Sequence, residues 1–169
     1  RARPASSSAF KQRRHLMQTA QQPEVQWTEM NLPISVGPAP LVLRQCQPTA
    51  AAALAQVVVA PAMGVQQSYY QPFARWLAEQ GYGVTTFDYR GHGLSLQGRM
   101  RDTKADLLDW AKDCEQVAAQ LKKQFPDQAL IWVGHSMGSQ LPGLASMPLP
   151  INGLLSVASG SGYCRDNAA

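Results

Sequence analysis

A chain of 169 residues, 45% hydrophobic and 15% charged, is long enough to bury a sizeable core and has the ordinary balance of a soluble globular domain. Its longest apolar stretch, Ala50 to Ala60, falls short of the roughly 18–20 residues that span a bilayer, carries Gln56 and stops at Pro61, so no transmembrane segment is expected. The net charge of +4 misleads: five of the fifteen basic residues (Arg1, Arg3, Lys11, Arg13, Arg14) precede the first acid, Glu24, and the remaining ten face eleven acids, so the rest of the chain has no overall basic character to suggest a nucleic-acid partner.

Residues 1–23 read as a basic, acid-free arm rich in Arg and Ser, in the manner of a disordered leader or a transit peptide, with Met17 as a natural start. The folded part is residues 24–169. Val25–Trp27 and Leu41–Cys46 are short strand candidates on either side of the turn-rich "LPISVGPAP", and they suggest an antiparallel opening. "QVVVAP" (56–61) is then a continuous β-branched run, the mark of a strand buried on both faces. Ser68, with Gln71 three residues later, looks like a capping box for a helix whose apolar stripe is Phe73, Trp76 and Leu77 and whose stop is Gly81. "GVTTFDY" (83–89) is the next strand.

Residues 103–125 repeat apolar side chains every three or four positions (Leu107, Trp110, Ala111, Cys114, Val117, Ala118, Leu121, Phe125), so a helix is expected there. Asp102 and Asp106 near its start and Lys122 and Lys123 near its end suit the helix dipole, and Pro126 closes it. "ALIWV" (129–133) is a third buried strand and "INGLLSVAS" (151–159) contains a fourth. Strands alternating with helices imply βαβ units, hence an α/β fold with a mostly parallel sheet and ligands at the carboxyl ends of its strands.

The cysteines Cys46, Cys114 and Cys164 are odd in number and lack C-x-x-C spacing, which fits a reducing, cytoplasmic setting and neither a disulfide framework nor a zinc site. His15, His92 and His135 have no ligand spacing either. No metal and no cofactor is expected.

The chemistry concentrates at Gly134-His135-Ser136-Met137-Gly138, a G-x-S-x-G pattern between an expected strand and an expected helix. A nucleophile presented this way stands on a very tight, strained turn, and the two glycines let strand and helix pass closely. The helix that follows points its amino end at the site, where free N–H groups favour an oxyanion, although Pro142 and Gly143 can end it within two turns. The bare pattern arises by chance in roughly one chain in twenty of this length, and the strand before and helix after make chance a much weaker explanation.

Three segments carry a family resemblance: "VVVAPAMGVQQSYYQPFARWLAEQGYGVTTFDYRGHGLS" (57–95), "IWVGHSMGSQ" (131–140) and "GLLSVASGSGY" (153–163). With the helix between them they resemble the amino-terminal part of an α/β-hydrolase-fold protein of the bacterial serine aminopeptidase and monoacylglycerol lipase branch. The resemblance implies Ser136 as nucleophile. It also implies an oxyanion hole of two backbone N–H groups, from Met137 and from Met63 in the loop after the first parallel strand. Many relatives have His-Gly before that second donor, where this chain has Pro61-Ala62. In "DYRGHGLS", Asp88 and Arg90 are implied to pin the loop and Gly91 and Gly93 to shape it. His92 and His135 are then structural, with the His135 side chain turned away from the serine hydroxyl.

In this fold the order along the chain is serine, acid, histidine. After Ser136 the sequence holds one acid, Asp166, too early in the strand order, and no histidine. The expectation is a cut or incomplete chain, with a genuinely truncated homologue as the rival. Residues 1–169 alone are expected to be inactive. They are also expected to be poorly soluble or oligomeric, since strand 153–158 would lie near an unpaired edge beside uncovered apolar surface.

The leading functional expectation is a serine hydrolase acting on an ester, thioester or small amide through an acyl-enzyme on Ser136, with a small-molecule acyl substrate as its partner. A non-catalytic binding protein on the same fold is the alternative. A nucleotide-binding domain is a distant third, because Gly91-His92-Gly93 and Gly160-Ser161-Gly162 complete neither G-x-G-x-x-G nor a Walker pattern.

Overall fold

The computed structural model describes residues 25–34, 39–49 and 51–160. The basic arm with His15, and Ser161, Gly162, Cys164 and Asp166, lie outside the described residues.

Six strands form one sheet in the order β1-β2-β4-β3-β5-β6. β1 (Val25–Leu32) and β2 (Leu41–Pro48) pair antiparallel along their full length, from Val25 opposite Pro48 to Leu32 opposite Leu41. β2 pairs antiparallel with β4 (Gly83–Phe87). From β4 onward the pairing is parallel, through β3 (Gln56–Ala60), β5 (Leu130–His135) and β6 (Gly153–Val157). The sheet is therefore antiparallel at its opening and parallel where the site lies, as the alternation of strand and helix signals implies.

Both faces of the middle strands are buried, and period-2 alternation assigns their residues. Val58 and Ala60 of β3 join Leu41, Leu43, Phe87 and Trp132 in a core with Ala111, Cys114, Val117, Ala118 and Leu121 of α2 (Leu107–Gln124). Val57 and Val59 face the other way and join Cys46, Val84 and Val133 with Ala74 and Ala78 of α1 (Gln71–Glu79). One strand thus feeds two cores, which is why it reads as an unbroken β-branched run. β6 lies at the sheet's edge: its consecutive Leu154 and Leu155, which point to opposite faces, are 50% and 54% exposed.

Two expectations for α1 need correction. Ser68 is not its cap: Gln67–Tyr70 form a 3-10 turn and the helix begins at Gln71, with Tyr70 at the cap position and no side-chain cap bond. Pro72 decides the start, because its fixed φ and missing N–H suit the first turn of a helix. Nor are Phe73 and Trp76 its buried stripe. They stack on each other at 6.1 Å on the exposed side, while Ala74 and Ala78 face the sheet. The small side chains let the helix lie close to β2 and β4, and Leu77 is half-buried beside them. Gly81, with φ of 92°, does end the helix, its N–H donating to the Ala78 carbonyl.

In α2 the capping box is made of aspartates. Asp106 accepts from the Asp109 N–H at 2.9 Å, and the Asp109 carboxylate accepts from the Asp106 N–H at 3.3 Å. Asp102 plays no part in that helix end; it sits in a separate 3-10 turn, Met100–Asp102, paired with Arg99. The apolar face starts later than Leu107, which is exposed with Leu108, and runs from Ala111.

Candidate active site

The G-x-S-x-G segment forms a tight junction between β5 and the short helix α3 (Met137–Gln140). Ser136 sits at the junction with φ of 52° and ψ of −116°, a conformation that costs an L-residue on the order of 1–3 kcal/mol. The surroundings hold it there. The Ser136 N–H donates to the Val157 carbonyl of β6 at 2.8 Å, and the Ser136 carbonyl accepts from the Ser139 N–H at 3.0 Å. The Ser139 hydroxyl donates back to the Gly134 carbonyl at 2.6 Å, and the Trp132 indole N–H caps the Gly138 carbonyl at 2.9 Å.

Both glycines are required by space. A Cβ on Gly134 would meet the backbone of Gly138 and Ser139 inside 3.0 Å, and one on Gly138 would meet the backbone of Ala60 and Pro61. These contacts close the turn on itself and press it against the end of β3.

α3 is a single turn that passes into a 3-10 turn at Leu141–Leu144, where Pro142 interrupts it. So short a helix has little macrodipole, and the expected help from the helix's amino end reduces to individual N–H groups. That of Met137, at the first helical position, has no acceptor within the helix.

Ala60 pairs with Gly134 across β3 and β5, so the loop after Ala60 and the turn at Ser136 leave the sheet side by side. In that loop the Ala62 N–H donates to the Tyr70 hydroxyl at 3.0 Å, and the Ala62 carbonyl accepts from Val65 N–H at 3.1 Å. The Tyr89 hydroxyl donates to the Pro61 carbonyl at 3.2 Å. The Met63 N–H, next in line, makes no hydrogen bond among the described residues. Its side chain is exposed, whereas that of Met137 is buried in the α2-side core.

The two described histidines, His92 and His135, make other contacts. His135 Nδ1 lies 2.8 Å from the Tyr70 hydroxyl, and the His92 ring packs edge-on to Trp110 at 5.1 Å. No histidine among the described residues is hydrogen-bonded to the Ser136 hydroxyl.

The loop after β4 is pinned by two buried carboxylates. Asp88 accepts from the Gln67 N–H and side-chain amide at 2.8 and 2.9 Å and from the Leu94 N–H at 2.9 Å. Arg90 grips Asp113 of α2 through its guanidinium at 2.6 and 2.8 Å and through its own N–H at 2.9 Å. Burial pushes the Asp113 carboxyl above its ordinary value, against the pull of Arg90. Gly93 stands against the Asp88 carboxylate and Gly91 against Thr103, so these glycines serve loop closure, and the negative charge beside them is a poor bed for phosphate.

Asp113, Gln67 and Tyr70 escape the sequence reading. Asp113 left one signal: an acid on the apolar face of a helix, between Trp110 and Val117 at core spacing. A cleft of about 410 Å³ is lined by Ile34, Arg90, Gly91, Thr103 and Asp109, and neither Ser136, Met63 nor Met137 borders it.

This strand order, with a strained serine between the fifth strand and its helix, is that of the α/β-hydrolase fold. The chain belongs to the serine aminopeptidase family, S33, whose sequence profile matches residues 51–146. Solved structures agree on the fold. A thermostable carboxyl esterase from Bacillus coagulans is 22% identical, with a TM-score of 0.65 over 77% of this chain and 43% of its own. An α/β serine hydrolase without a lid from Xanthomonas campestris is 23% identical, with a TM-score of 0.64 over 81% of this chain and 63% of its own. The thioesterase domain of the curacin biosynthetic pathway is 29% identical, with a TM-score of 0.55 over 69% of this chain and 38% of its own. The chain thus spans less than two thirds of the length of each. No curated protein matches it. No helix of the described residues is long and apolar enough to cross a membrane.

Proposed function

We propose that the protein is a serine hydrolase that cleaves an ester, thioester or small amide through an acyl-enzyme on Ser136. The observation that carries this is the Ser136 backbone, held at φ 52° and ψ −116° between two glycines whose Cβ positions are filled by neighbouring backbone. Strain of this kind persists only where the surroundings over-determine it, and it clusters at reactive residues. The Ser136 hydroxyl oxygen attacks the acyl carbon and its proton passes to a base. The alcohol, thiol or amine leaves with that proton, and water then releases the acid by the same route. The tetrahedral oxyanion takes the N–H groups of Met63 and Met137, which have no competing acceptor. The substrate is a small acyl compound. A cytoplasmic setting accords with Cys46 and Cys114, which are free thiols.

The base and its acid come, in this reading, from sequence beyond residue 169, and residues 1–169 alone are inactive. The absence of any histidine bonded to Ser136 among the described residues supports this. The same observation favours a second reading, a binding protein on a hydrolase scaffold.

A fluorophosphonate probe separates the two. It forms a serine–phosphorus bond with loss of fluoride only where the hydroxyl is activated. The full-length protein should label and hydrolyse p-nitrophenyl esters, and Ser136→Ala should do neither. Absence of labelling in the full-length protein would leave the binding reading.

A further inference from the structure

One hydroxyl group bridges the two segments that carry the proposed oxyanion donors. The Tyr70 oxygen lies 3.0 Å from the Ala62 N and 2.8 Å from His135 Nδ1. Met63 is the residue after Ala62; Ser136 and Met137 are the two after His135. Resting on the hydrolase reading, we infer that Tyr70 is a positioning residue of the oxyanion hole, its hydroxyl setting the spacing between the Met63 loop and the Ser136 turn.

The proton accounting closes. The Ala62 N–H can only donate, so the Tyr70 oxygen accepts from it and its own proton is free to go to His135 Nδ1. In this arrangement Nδ1 accepts and the His135 ring proton sits on Nε2, an assignment that follows from the hydrogen-bond pattern. Burial pushes the Tyr70 phenol up from its ordinary value, so the hydroxyl keeps the proton it donates. The ring is held independently of its oxygen: it is 7% exposed, sits in the α1-side core with Ala74 and Val59, and meets the Tyr69 and His135 rings edge-on at 5.2 and 6.0 Å.

The loop depends on this bond. The Tyr89 bond to the Pro61 carbonyl and the turn bond of the Ala62 carbonyl fix the planes of the Pro61–Ala62 and Ala62–Met63 peptides, but neither ties the loop to the His135 segment, as the Tyr70 oxygen does. Gly64, at φ of 73°, has open space where a Cβ would lie and offers no packing restraint. Without the Tyr70 oxygen the loop can shift as a unit relative to the His135 segment, and the Met63 N–H moves relative to that of Met137. Oxyanion donors act only when aimed at the developing charge, so the loss should fall on the transition state.

The test uses full-length protein and Tyr70→Phe, which removes one oxygen and keeps the ring. The expected result is a fall in kcat, and in the fluorophosphonate labelling rate of Ser136, of about tenfold to a hundredfold, below the 10²–10³ of deleting a donor outright. KM should stay within about twofold and affinity for a trifluoromethyl ketone should fall in step with kcat. His135→Phe removes one of the two bonds and should show a smaller loss, with the double variant no slower than Tyr70→Phe because both act through one oxygen. Unchanged kcat and labelling in Tyr70→Phe overturn the inference, as does a loss shared equally by KM or explained by a lowered melting temperature. If the wild-type protein itself fails to label, the hydrolase reading falls and takes this inference with it. If it labels and Tyr70→Phe labels equally fast, only the inference falls.

Discussion

Gly138 faces the carbonyl of Ala60 across the carboxyl edge of the sheet, so closely that a Cβ would lie inside 3.0 Å of that carbonyl and of the Pro61 oxygen. The atoms in the way are backbone, which cannot swing aside as a side-chain end can. Gly138→Ala should therefore force β3 and the serine turn apart, at about 2–3 kcal/mol for an overpacked site. Ser136 labelling should fall more steeply than stability, because the loop after Ala60 moves with β3. Urea unfolding alongside probe labelling reads both, and a variant as stable and reactive as the wild type would show that the contact gives way.

The Arg90–Asp113 pair should be costly to break and cheap to replace. Asp113 is fully buried and the Arg90 side chain is 11% exposed, with Asp109 a more distant partner at 3.6 Å. Asp113→Ala should destabilise by about 3–5 kcal/mol, as breaking buried pairs does. The paired apolar variant Arg90→Met/Asp113→Leu should recover much of that loss. The sign of the pH effect follows from the raised Asp113 carboxyl. Its protonated form is favoured in the folded state, so its contribution is complete at low pH and is lost as pH rises through the folded value. Chemical denaturation of the single and double variants tests the cycle, and a double variant as unstable as Asp113→Ala would argue that the bonds to the loop, not the charge, matter.

Much of the fold was legible because β3 serves two cores and so reads as a β-branched run at Val57–Val59. Gly134 and Gly138 were legible for a local reason: the turn needs them at fixed offsets from Ser136. The helix start at Gln71 was not, because Ser68 offers a cap as good in sequence as the Pro72 that prevails. Trp76 misled for a tertiary reason, since the helix lies close to the sheet over Ala74 and Ala78 and turns Trp76 outward. Tyr70 left no trace at all: its two partners are eight and 65 positions away, and nothing in "SYYQP" distinguishes it from exposed Tyr69.

The Cys46 and Cys114 thiols should be silent in the native protein. Burial pushes Cys46 up to about 11, and Cys114 well above its ordinary value. With Cys164→Ser in place, neither should react with Ellman's reagent at pH 8 until denaturant is added. Because the folded value is raised, Cys46 contributes stability that is complete below about pH 9 and is lost as pH rises toward about 11. Cys46→Ala should flatten that part of the profile in melts taken between those limits. Rapid reaction of two thiols under native conditions would mean that the strand carrying Cys46 opens readily.

The edge strand predicts how residues 1–169 behave as a separate polypeptide. Leu154, Leu155 and Val157 are all between 43% and 54% exposed on a strand with no neighbour on its outer side among the described residues. Such an edge invites pairing with another copy. Light scattering should show association that grows with concentration and weakens in Leu154→Lys/Val157→Lys. A monodisperse monomer with a sharp two-state melt would show the edge to be protected.

The strain at Ser136 gives the most direct test of the site. At φ 52° and ψ −116° a glycine escapes the Cβ clash that an L-residue meets. Ser136→Gly should remove about 1–3 kcal/mol of strain. Against this stands the extra chain entropy of glycine, about 0.5–1 kcal/mol. The net expectation is a variant more stable by about 1 kcal/mol, a few degrees in melting temperature. Ser136→Ala keeps the Cβ and therefore the strain, and should match the wild type, so the comparison isolates the backbone from the lost hydroxyl. Both variants should fail to label, which makes stability the quantity that separates them. A Ser136→Gly protein less stable than Ser136→Ala would mean that the turn is relaxed with serine in place, and the structural support for a nucleophile at this position would go with it.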